Sequence, residues 1–284
     1  MTSRRALLQS LAALPLVGAC AGPRFSGQQN YTPSGLPLRR VLVSPDRVVR
    51  VVTGLRPYRP SGFVVRPDKL DDKTIIHNYG HGGGGITLSW GTSHMALELA
   101  MQSEHRRCAV LGCGAVGLAS ARLLQRHGWD VTIYAKDLPP NTTSNIAGAQ
   151  WSPASLYDDG FSDPQFFNDL DIAMRHSYRE FQHLVGPNYG VSWVSNYVLS
   201  DRPQADGDIH VRYPDMFPER RALPTSRHPF PAEHALHFDT MFIEPPRYLP
   251  AIMNDYHAAG GKIVIRDFQD RQELLTLGEP VIIN

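Results

Sequence analysis

The sequence predicts an α/β fold, and three observations lead to that prediction. A short apolar stretch at 108–111 runs directly into a glycine-rich turn at 112–117. A stretch with helical periodicity follows at 115–127 and carries leucines on one side. Residues 129–135 then alternate apolar and polar side chains, as a strand does. A strand, a glycine turn, a helix and a second strand in this order form a βαβ unit of a parallel sheet.

The composition is that of a globular chain. The 284 residues are 42% hydrophobic and 19% charged, which is enough for one large or two modest domains. A net charge of +1 creates no field that would favour nucleic acid as a partner. The three cysteines, Cys20, Cys108 and Cys113, match no disulfide framework and no zinc or redox motif. We expect Cys108 and Cys113 to be small core residues.

The N-terminus is typical of an export signal over residues 1–20. Arg4 and Arg5 precede an apolar run at 6–19, which is shorter than the ~20 residues of a membrane-spanning helix. The paired arginines resemble a twin-arginine signal, and the small residues before Cys20 resemble a lipoprotein cleavage box. The sequence therefore predicts export to the periplasm or membrane attachment through lipidated Cys20. An ordinary cleaved signal without a role for Cys20 is the alternative, and a chain without export would stay cytoplasmic.

Each glycine of the 112–117 turn has a physical reason in a dinucleotide site. Gly112 permits the tight turn out of the strand, Gly114 lets the backbone approach a pyrophosphate, and Gly117 lets helix and strand pack closely. Ala115 and Val116 begin the helix, whose free N–H groups and positive dipole end attract phosphate.

The second strand of the unit ends at Lys136 and Asp137. An acid about 20 residues past the last glycine is the residue type that binds the ribose of a dinucleotide. We therefore expect both residues beside a cofactor. The pattern alone does not separate NAD from FAD, and a glycine turn without a ligand is the alternative.

Residues 134–153 resemble the D-amino-acid oxidase family. This segment holds a threonine-rich loop and a turn of small residues before Trp151. In the family these features wrap FAD, and hydroxyl groups are suitable donors to phosphate oxygens. The resemblance implies FAD contacts at Thr142, Thr143, Ser144, Ala149 and Gln150.

Two further segments resemble the same family. Residues 54–60 are similar to its substrate-binding Arg-Pro-x-Arg-Pro segment, and residues 77–87 are similar to the loop that meets the flavin ring. We expect His77 and His81 to pack or form hydrogen bonds rather than act as bases. Glycines before a helix let backbone N–H groups close on a flavin edge. The resemblance implies FAD contacts at Gly82, Gly83, Gly84, Gly85, Ile86 and Thr87.

The chain departs from the family in two ways. The segments at 54–60 and 77–87 precede the dinucleotide turn, whereas in the family they come near the C-terminus, so we interpret the order as a circular permutation. The chain also ends at Asn284 within a strand-like stretch, which we interpret as truncation. In addition, Lys136 stands where the family has the ribose-binding acid, and Asp137 is the candidate to replace it.

The resemblance implies a Rossmann-like FAD-binding domain of the glutathione-reductase type, interleaved with a mixed-sheet substrate domain. Both the permuted segments and the dinucleotide turn have to meet one FAD, which is why the domains interleave. The expected division is 1–20 signal, 21–35 linker, 36–74 substrate domain, 75–155 FAD domain, 156–255 substrate domain and 256–284 return to the FAD domain.

The implied reaction is oxidation of a D-amino acid, or a similar amino acid, at its α-carbon. A hydride passes to FAD, the imino acid is hydrolysed to a 2-oxo acid and ammonia, and dioxygen reoxidises the flavin to give hydrogen peroxide. Arg56 is the candidate anchor for the substrate carboxylate, because a guanidinium matches two carboxylate oxygens. Arg59 is expected on the opposite face of the segment. An NAD-dependent dehydrogenase and a truncated flavin-binding remnant without turnover are the alternatives.

Overall fold

The structure, a computed structural model, describes residues 30–31, 37–38, 41–203 and 208–284. The predicted export signal, with Arg4, Arg5 and Cys20, lies outside these residues, as does most of the predicted linker. Within the described ranges, none of the helices combines the length and the apolar character that crossing a membrane requires.

Eleven strands and five α-helices make up the regular structure of the described residues. The strands are β1 (Asn30–Tyr31), β2 (Pro37–Leu38), β3 (Val64–Leu70), β4 (Lys73–Tyr79), β5 (Arg107–Leu111), β6 (Asp130–Ala135), β7 (Val191–Ser200), β8 (Arg221–Leu223), β9 (His234–Ile243), β10 (Lys262–Ile265) and β11 (Val281–Ile283). The α-helices are α1 (Gly85–Met101), α2 (Ala115–Arg126), α3 (Pro164–His183), α4 (Ile209–Arg212) and α5 (Pro245–Ala258). Short 3₁₀ helices cover Pro45–Arg47, Gly82–Gly84, Thr143–Ile146, Pro214–Met216, Thr225–Arg227 and Arg271–Thr276.

A six-stranded sheet forms the centre of the fold, in the order β10-β6-β5-β11-β4-β3. All neighbours are parallel except β3, which pairs antiparallel with β4. The α/β prediction is therefore confirmed, and so is the prediction that the final strand joins the dinucleotide sheet. Because β4 and β5 both run parallel to β11 and flank it, their carboxyl ends lie at the same edge of the sheet. Both glycine turns begin at that edge.

The βαβ unit has the predicted elements with shifts of one residue at their ends. In β5, Cys108 and Val110 pack under the helices, while Ala109 packs on the other face of the sheet. Burial on both faces explains why this strand reads as a continuous apolar run. Gly128, at φ +78°, ends the turn after α2, because the left-handed backbone there suits glycine. Cys108 and Cys113 are buried and free, as expected.

Helix α1 is buried without a break from Ile86 to Ser93 and on one side beyond that. A Cβ atom at Gly91 would lie 1.9 Å from the carbonyl oxygen of Ala173 in α3, so only glycine permits this close helix crossing. Trp90 donates a 2.7 Å hydrogen bond to the buried hydroxyl of Tyr248 in α5. The helix that begins at one glycine turn is thereby fixed to the rest of the core.

A second, smaller sheet has the order β7-β9-β8 and is antiparallel throughout. It comes from the segment expected to form the substrate domain. Strand β3 differs from the expectation for 36–74: it pairs along its whole length with β4 and belongs to the larger sheet. The physical reason is the two-residue connection at Asp71 and Asp72, which joins β3 and β4 as a hairpin and leaves no length to reach another sheet. The division into domains otherwise stays a prediction.

Candidate functional site

A cavity of about 400 Å³ opens at the edge of the large sheet where the two glycine turns lie. Four separate stretches of the chain form its walls. The lining residues are Val52, Gly54, Leu55, Arg56, Pro57, His81, Gly82, Gly83, Gly85, Ile86, Thr87, Val116, Thr143, Ser144, Ile146, Ala147, Gly148, Ala149 and Gln150. Val116 of the dinucleotide turn and three of the four glycines at 82–85 share this cavity. The expected proximity of the two turns is therefore confirmed.

The turn at Gly82–Gly84 is held by segments that are distant in sequence. The N–H of Gly82 donates to Pro57 O at 3.0 Å, and the N–H of Gly83 donates to Ser155 O at 3.1 Å. Gly82 has φ +53°, and a Cβ there would lie 2.2 Å from the carbonyl oxygen of Ser155. A side chain at this position would therefore displace the loop that closes over the turn.

Gly84 differs in position from the other glycines that were predicted to contact FAD in this turn. It does not line the cavity, and its Cβ position is 2.5 Å from the Leu156 side chain. Thr87 lines the cavity, but its hydroxyl already donates to Ser152 O and accepts from Ser152 N. Its backbone remains at the first turn of α1, which has no side-chain cap. Free N–H groups at a helix start attract negative charge, so this wall suits an electron-rich ligand edge.

The dinucleotide turn is held by contacts within the βαβ unit and by Ser144, which follows the unit in sequence. Gly112 has φ +99°, and its N–H donates to Tyr134 O at 2.8 Å. A Cβ at Gly117 would lie 2.1 Å from the carbonyl oxygen of Gly112, so the helix can cross the strand this closely only with glycine. A Cβ at Gly114 would lie 2.9 Å from Ser144 Oγ, which accepts from the N–H of Ala115 at 3.0 Å.

Ser144 and Thr143 bring the threonine-rich loop against the start of α2. Because Ser144 Oγ accepts from Ala115, its own hydrogen is free to donate to a phosphate oxygen. Thr142 is turned away from the cavity, and its hydroxyl donates to Asn145 Oδ1 at 2.8 Å. The loop thus contributes two of its three predicted hydroxyl residues to the cavity wall.

Ala149 and Gln150 connect the cavity to the second sheet. Ala149 has φ +51°, and its carbonyl accepts from Ile243 N at 2.9 Å. Gln150 forms a bridge with Phe242 of β9, and Trp151 N donates to Met241 O at 2.7 Å. The turn of small residues is therefore fixed to β9 on one side and faces the cavity on the other.

Lys136 and Asp137 lie just beyond β6 and do not line the cavity. Lys136 Nζ is 3.3 Å from Asp267 Oδ2, and both side chains are largely exposed. Asp137 is exposed. These positions lie farther along the sheet edge than the cavity.

Arg56 lines the cavity, and among the described residues no carboxylate forms an ion pair with it. A tight turn sets its position, because Tyr58 N donates to Arg56 O at 2.8 Å. The hydroxyl of Tyr58 also forms a short hydrogen bond with Asp158. Arg59 points elsewhere, as expected: its Nε donates to Gly62 O and its guanidinium lies 5.7 Å from the centre of the Tyr79 ring.

The two histidines of the 77–87 segment form hydrogen bonds, as predicted. His77 Nδ1 lies 2.8 Å from Asn284 Oδ1, and His81 Nε2 lies 2.8 Å from Thr92 Oγ1. His81 is buried and stacks on Phe63. Burial lowers the pKa of His81 to about 4, so the ring is neutral at pH 7.

The residues at this edge of the sheet fit an extended dinucleotide. Bare backbone at Gly114, a free hydroxyl on Ser144 and two adjacent helix starts suit phosphates, and the cavity beyond suits a flat ring.

Sequence reasoning missed the apolar walls at Val52, Leu55 and Ile146, and the loop that closes on Gly82 and Gly83 through Ala154 and Ser155. A Trp-Ser-Pro-Ala-Ser run is a loop signal, but nothing in it names a distant partner.

Comparison with known proteins gives a family model, relatives matched over part of their length and similar solved structures. The family model described as FAD dependent oxidoreductase matches residues 107–276, more than half of the chain. A D-amino-acid oxidase from Streptomyces coelicolor is 43% identical over 58 residues, which cover 20% of this chain and 18% of that protein. A D-aspartate oxidase from Homo sapiens is 33% identical over 97 residues, covering 30% of this chain and 28% of that protein. The chain thus spans less than a third of the length of these relatives.

Among solved structures, a glycine oxidase from Geobacillus kaustophilus is similar to this protein over 56% of this chain and 47% of the glycine oxidase chain. The TM-score is 0.42 and the sequence identity 16%.

Proposed function

The chain belongs to the FAD-dependent oxidoreductase family, whose cofactor is FAD, and on that premise we propose that it oxidises the α-carbon of an amino acid. The substrate we propose is a D-amino acid, because the relatives that share 33–43% identity with parts of this chain include a D-amino-acid oxidase and a D-aspartate oxidase. Dioxygen is the proposed electron acceptor, with hydrogen peroxide as the product.

One observation carries this proposal. A single cavity brings together the glycine turn after β4, the start of α2, the threonine-rich loop and Arg56. Phosphate-binding features line the same cavity as a guanidinium that forms no ion pair with the carboxylates of the described residues. Together they suit a ligand with a phosphate part and a flat apolar part, and a carboxylate beside it.

The chain's own residues have separate tasks in this proposal. Gly114, Ala115 and Ser144 would hold the pyrophosphate of FAD, and Gly85 to Thr87 would lie against its ring. FAD, when bound, supplies the two-electron acceptor for the substrate's α-hydrogen. Arg56 would bind the substrate carboxylate through two parallel N–H donors and fix the α-carbon at the ring.

His81 has a positioning role rather than an acid–base role. Its Nε2 is engaged by Thr92, its ring is buried, and its carbonyl accepts from Gly84 N at 2.9 Å. The side chain thus holds the backbone from which the glycine turn begins. Orientation of the substrate by Arg56 then provides the main contribution of the protein to the rate.

The test is a visible spectrum of the purified protein, followed by a peroxide assay on D-amino acids, their L-enantiomers, glycine and sarcosine. We expect flavin absorbance and peroxide formation with D-amino acids. Protein that takes up no flavin would overturn the proposal. Bound FAD without peroxide from any substrate would favour the alternative of a flavin-binding protein without turnover, and turnover confined to L-enantiomers would overturn the substrate assignment.

We also propose export, from the sequence features at residues 1–20, with Cys20 as the candidate point of lipid attachment. Changing Arg4 and Arg5 together to lysine tests the twin-arginine route. The protein should then stay in the cytoplasmic fraction of fractionated cells. Unchanged export of the double variant would contradict that route, and a Cys20→Ala variant that still sediments with membranes would contradict lipid attachment.

A further inference from the structure

Lys136 and Asp267 form an ion pair at the carboxyl ends of two neighbouring strands. Lys136 is the first residue after β6, and Asp267 lies two residues after the end of β10. Lys136 Nζ and Asp267 Oδ2 are 3.3 Å apart. In a dinucleotide-binding sheet the ligand lies outside the carboxyl ends of the strands, and the adenosine ribose lies at the end of the second strand of the βαβ unit. Here that second strand is β6.

Lys136, the residue at the end of β6, cannot accept a hydrogen bond from the ribose. A carboxylate there accepts a hydrogen bond from a ribose hydroxyl. The ammonium of Lys136 has three donors and no acceptor. An acceptor has to come from another residue, and two acids are close enough in the fold to be considered: Asp137, next in sequence, and Asp267, next in space.

The backbone favours Asp267. Arg266 N donates to Ala135 O at 3.0 Å, which continues the β10–β6 pairing past the end of both strands. The backbone before Asp267 is thereby tied beside the backbone before Lys136. Asp267 is also oriented by the ion pair, whereas within the described part of the chain no hydrogen bond or ion pair holds the carboxylate of Asp137. A carboxylate that is already oriented loses less conformational entropy when it binds.

We propose that Asp267, oriented by Lys136, accepts the hydrogen bond from the ribose hydroxyl of the adenosine half of FAD. This inference rests on the proposed function. The ribose-binding acid would then follow β10 instead of β6, and the ion pair with Lys136 would orient its carboxylate. Because the pair is neutral as a whole, it suits an uncharged ribose rather than a 2′-phosphate, which requires an unpaired cation.

The first test is titration of FAD into apoprotein of the full chain, followed by flavin fluorescence. Asp267→Ala, which removes the acceptor, should weaken FAD binding by about tenfold, equivalent to about 1.4 kcal/mol. Asp137→Ala is the matched control and should change the Kd by less than about twofold. Both side chains are exposed, so both variants should unfold at the urea midpoint of the wild type.

The second test isolates the ribose. ADP and 2′-deoxy-ADP compete with FAD for the apoprotein and differ only in the 2′-hydroxyl. Wild-type protein and Asp137→Ala should prefer ADP, and Asp267→Ala, which has no side-chain acceptor, should bind both compounds equally. A preference for ADP that survives in Asp267→Ala, or that disappears in Asp137→Ala instead, would overturn the inference. Wild-type protein that takes up no FAD would overturn the proposed function itself, and the inference with it, so the two failures are distinguishable.

Discussion

The two glycine turns at the sheet edge look alike in sequence but are held in different ways. At the dinucleotide turn, the space for Gly117 is limited by Gly112, five residues earlier in the same βαβ unit. At the other turn, the space for Gly82 is limited by Ser155, and the N–H of Gly82 donates to Pro57. Both partners of Gly82 belong to distant segments.

The dinucleotide turn is thus fixed mainly by local contacts, whereas the turn at Gly82 is fixed by tertiary contacts. The dinucleotide turn depends mainly on its own βαβ unit, because the close contacts of Gly112 and Gly117 lie between residues 110 and 134. Only Ser144, which contacts Gly114 and Ala115, lies beyond the unit, and it is a few residues after β6. The turn at Gly82 is complete only when the segments at Arg56–Tyr58 and Ala154–Leu156 have docked on it. The proposed phosphate end should therefore resist change in distant segments, and the proposed ring end should respond to them.

The largest effect should come from Gly117→Ala. Its Cβ would lie 2.1 Å from the backbone oxygen of Gly112, and a backbone atom between a strand and a helix cannot turn aside as the end of a flexible side chain can. We expect a loss of about 3 kcal/mol in the free energy of unfolding, together with loss of FAD retention. Urea unfolding and flavin absorbance measure the two effects.

Two variants sharpen this result. Gly82→Ala meets the oxygen of Ser155 at 2.2 Å, but Ser155 lies in a loop that can shift, so its cost should be smaller. Gly160 has φ +83°, and a Cβ added there would have no atom within 4 Å. Gly160→Ala should therefore lower the free energy of unfolding only by the backbone strain, about 1 kcal/mol, and leave FAD retention intact. Equal costs for Gly82→Ala and Gly117→Ala would contradict the distinction between the local and the tertiary turn.

The second prediction concerns the pH dependence of the tertiary turn. Burial lowers the pKa of His81 to about 4 in the folded state, while an exposed histidine in the unfolded chain has a pKa of about 6.5. As the pH falls, the unfolded chain binds this proton first, so the fold loses stability below pH 6.5 and the loss is complete near pH 4. The expected contribution is about 3 kcal/mol, fully present above pH 6.5.

Urea midpoints of the wild type and His81→Gln at pH 7.5 and pH 4.5 measure this contribution. Glutamine is itself destabilising, because it loses the stacking on Phe63. The relevant quantity is the difference between the two pH values, which should be smaller in the variant. The same difference in both proteins would show that His81 does not titrate as its burial requires.

The distinction between the turns also explains what the sequence could predict. The βαβ unit is local, so β5, α2 and β6 followed from periodicity and glycine placement to within a residue at most ends. Strand β3 was placed in the substrate segment because its pairing with β4 depends on a hairpin at Asp71 and Asp72 that carries no glycine or asparagine signal.

The predicted site residues show the same division. Gly112, Gly114 and Gly117 could be assigned physical roles from spacing alone. The position of Arg56 at the cavity came from a family resemblance, since no spacing rule connects it to Val116 or Ser144. The contact of Gly84 with Leu156, rather than with the cavity, depends on a loop 72 residues later in the chain, and no local pattern encodes it.

A moderate effect is expected from Arg56→Lys. Lysine keeps the positive charge but loses the two parallel donors that match a carboxylate. The catalytic efficiency with D-amino acids should fall about tenfold, equivalent to about 1.4 kcal/mol, while FAD stays bound. Arg59→Lys is the matched control, because Arg59 lies outside the cavity. The catalytic efficiency of this variant should stay within about twofold of the wild type. Equal effects of the two substitutions would remove Arg56 from the substrate site.

The smallest effect should come from Tyr58→Phe, which tests whether a distant segment positions Arg56. Tyr58 follows Pro57 in the tight turn that sets Arg56, and its hydroxyl is bound to Asp158. The carboxylate of Asp158 raises the pKa of Tyr58, so the phenol stays protonated and keeps donating throughout the neutral range. Because the pair is exposed, its loss should be partly offset by water.

We expect Tyr58→Phe to raise the KM for the amino acid roughly twofold to threefold with kcat nearly unchanged, since a less ordered Arg56 weakens carboxylate binding in the ground and transition states alike. Asp158→Ala should give the same rise, and the double variant should be no worse than either single variant, because both remove one hydrogen bond. Additive effects would mean that the two side chains act separately. A fall in kcat at constant KM would mean that the turn at 56–58 shapes the reacting geometry itself, and that the ring end depends on its distant segments more strongly than the contacts of Gly82 indicate.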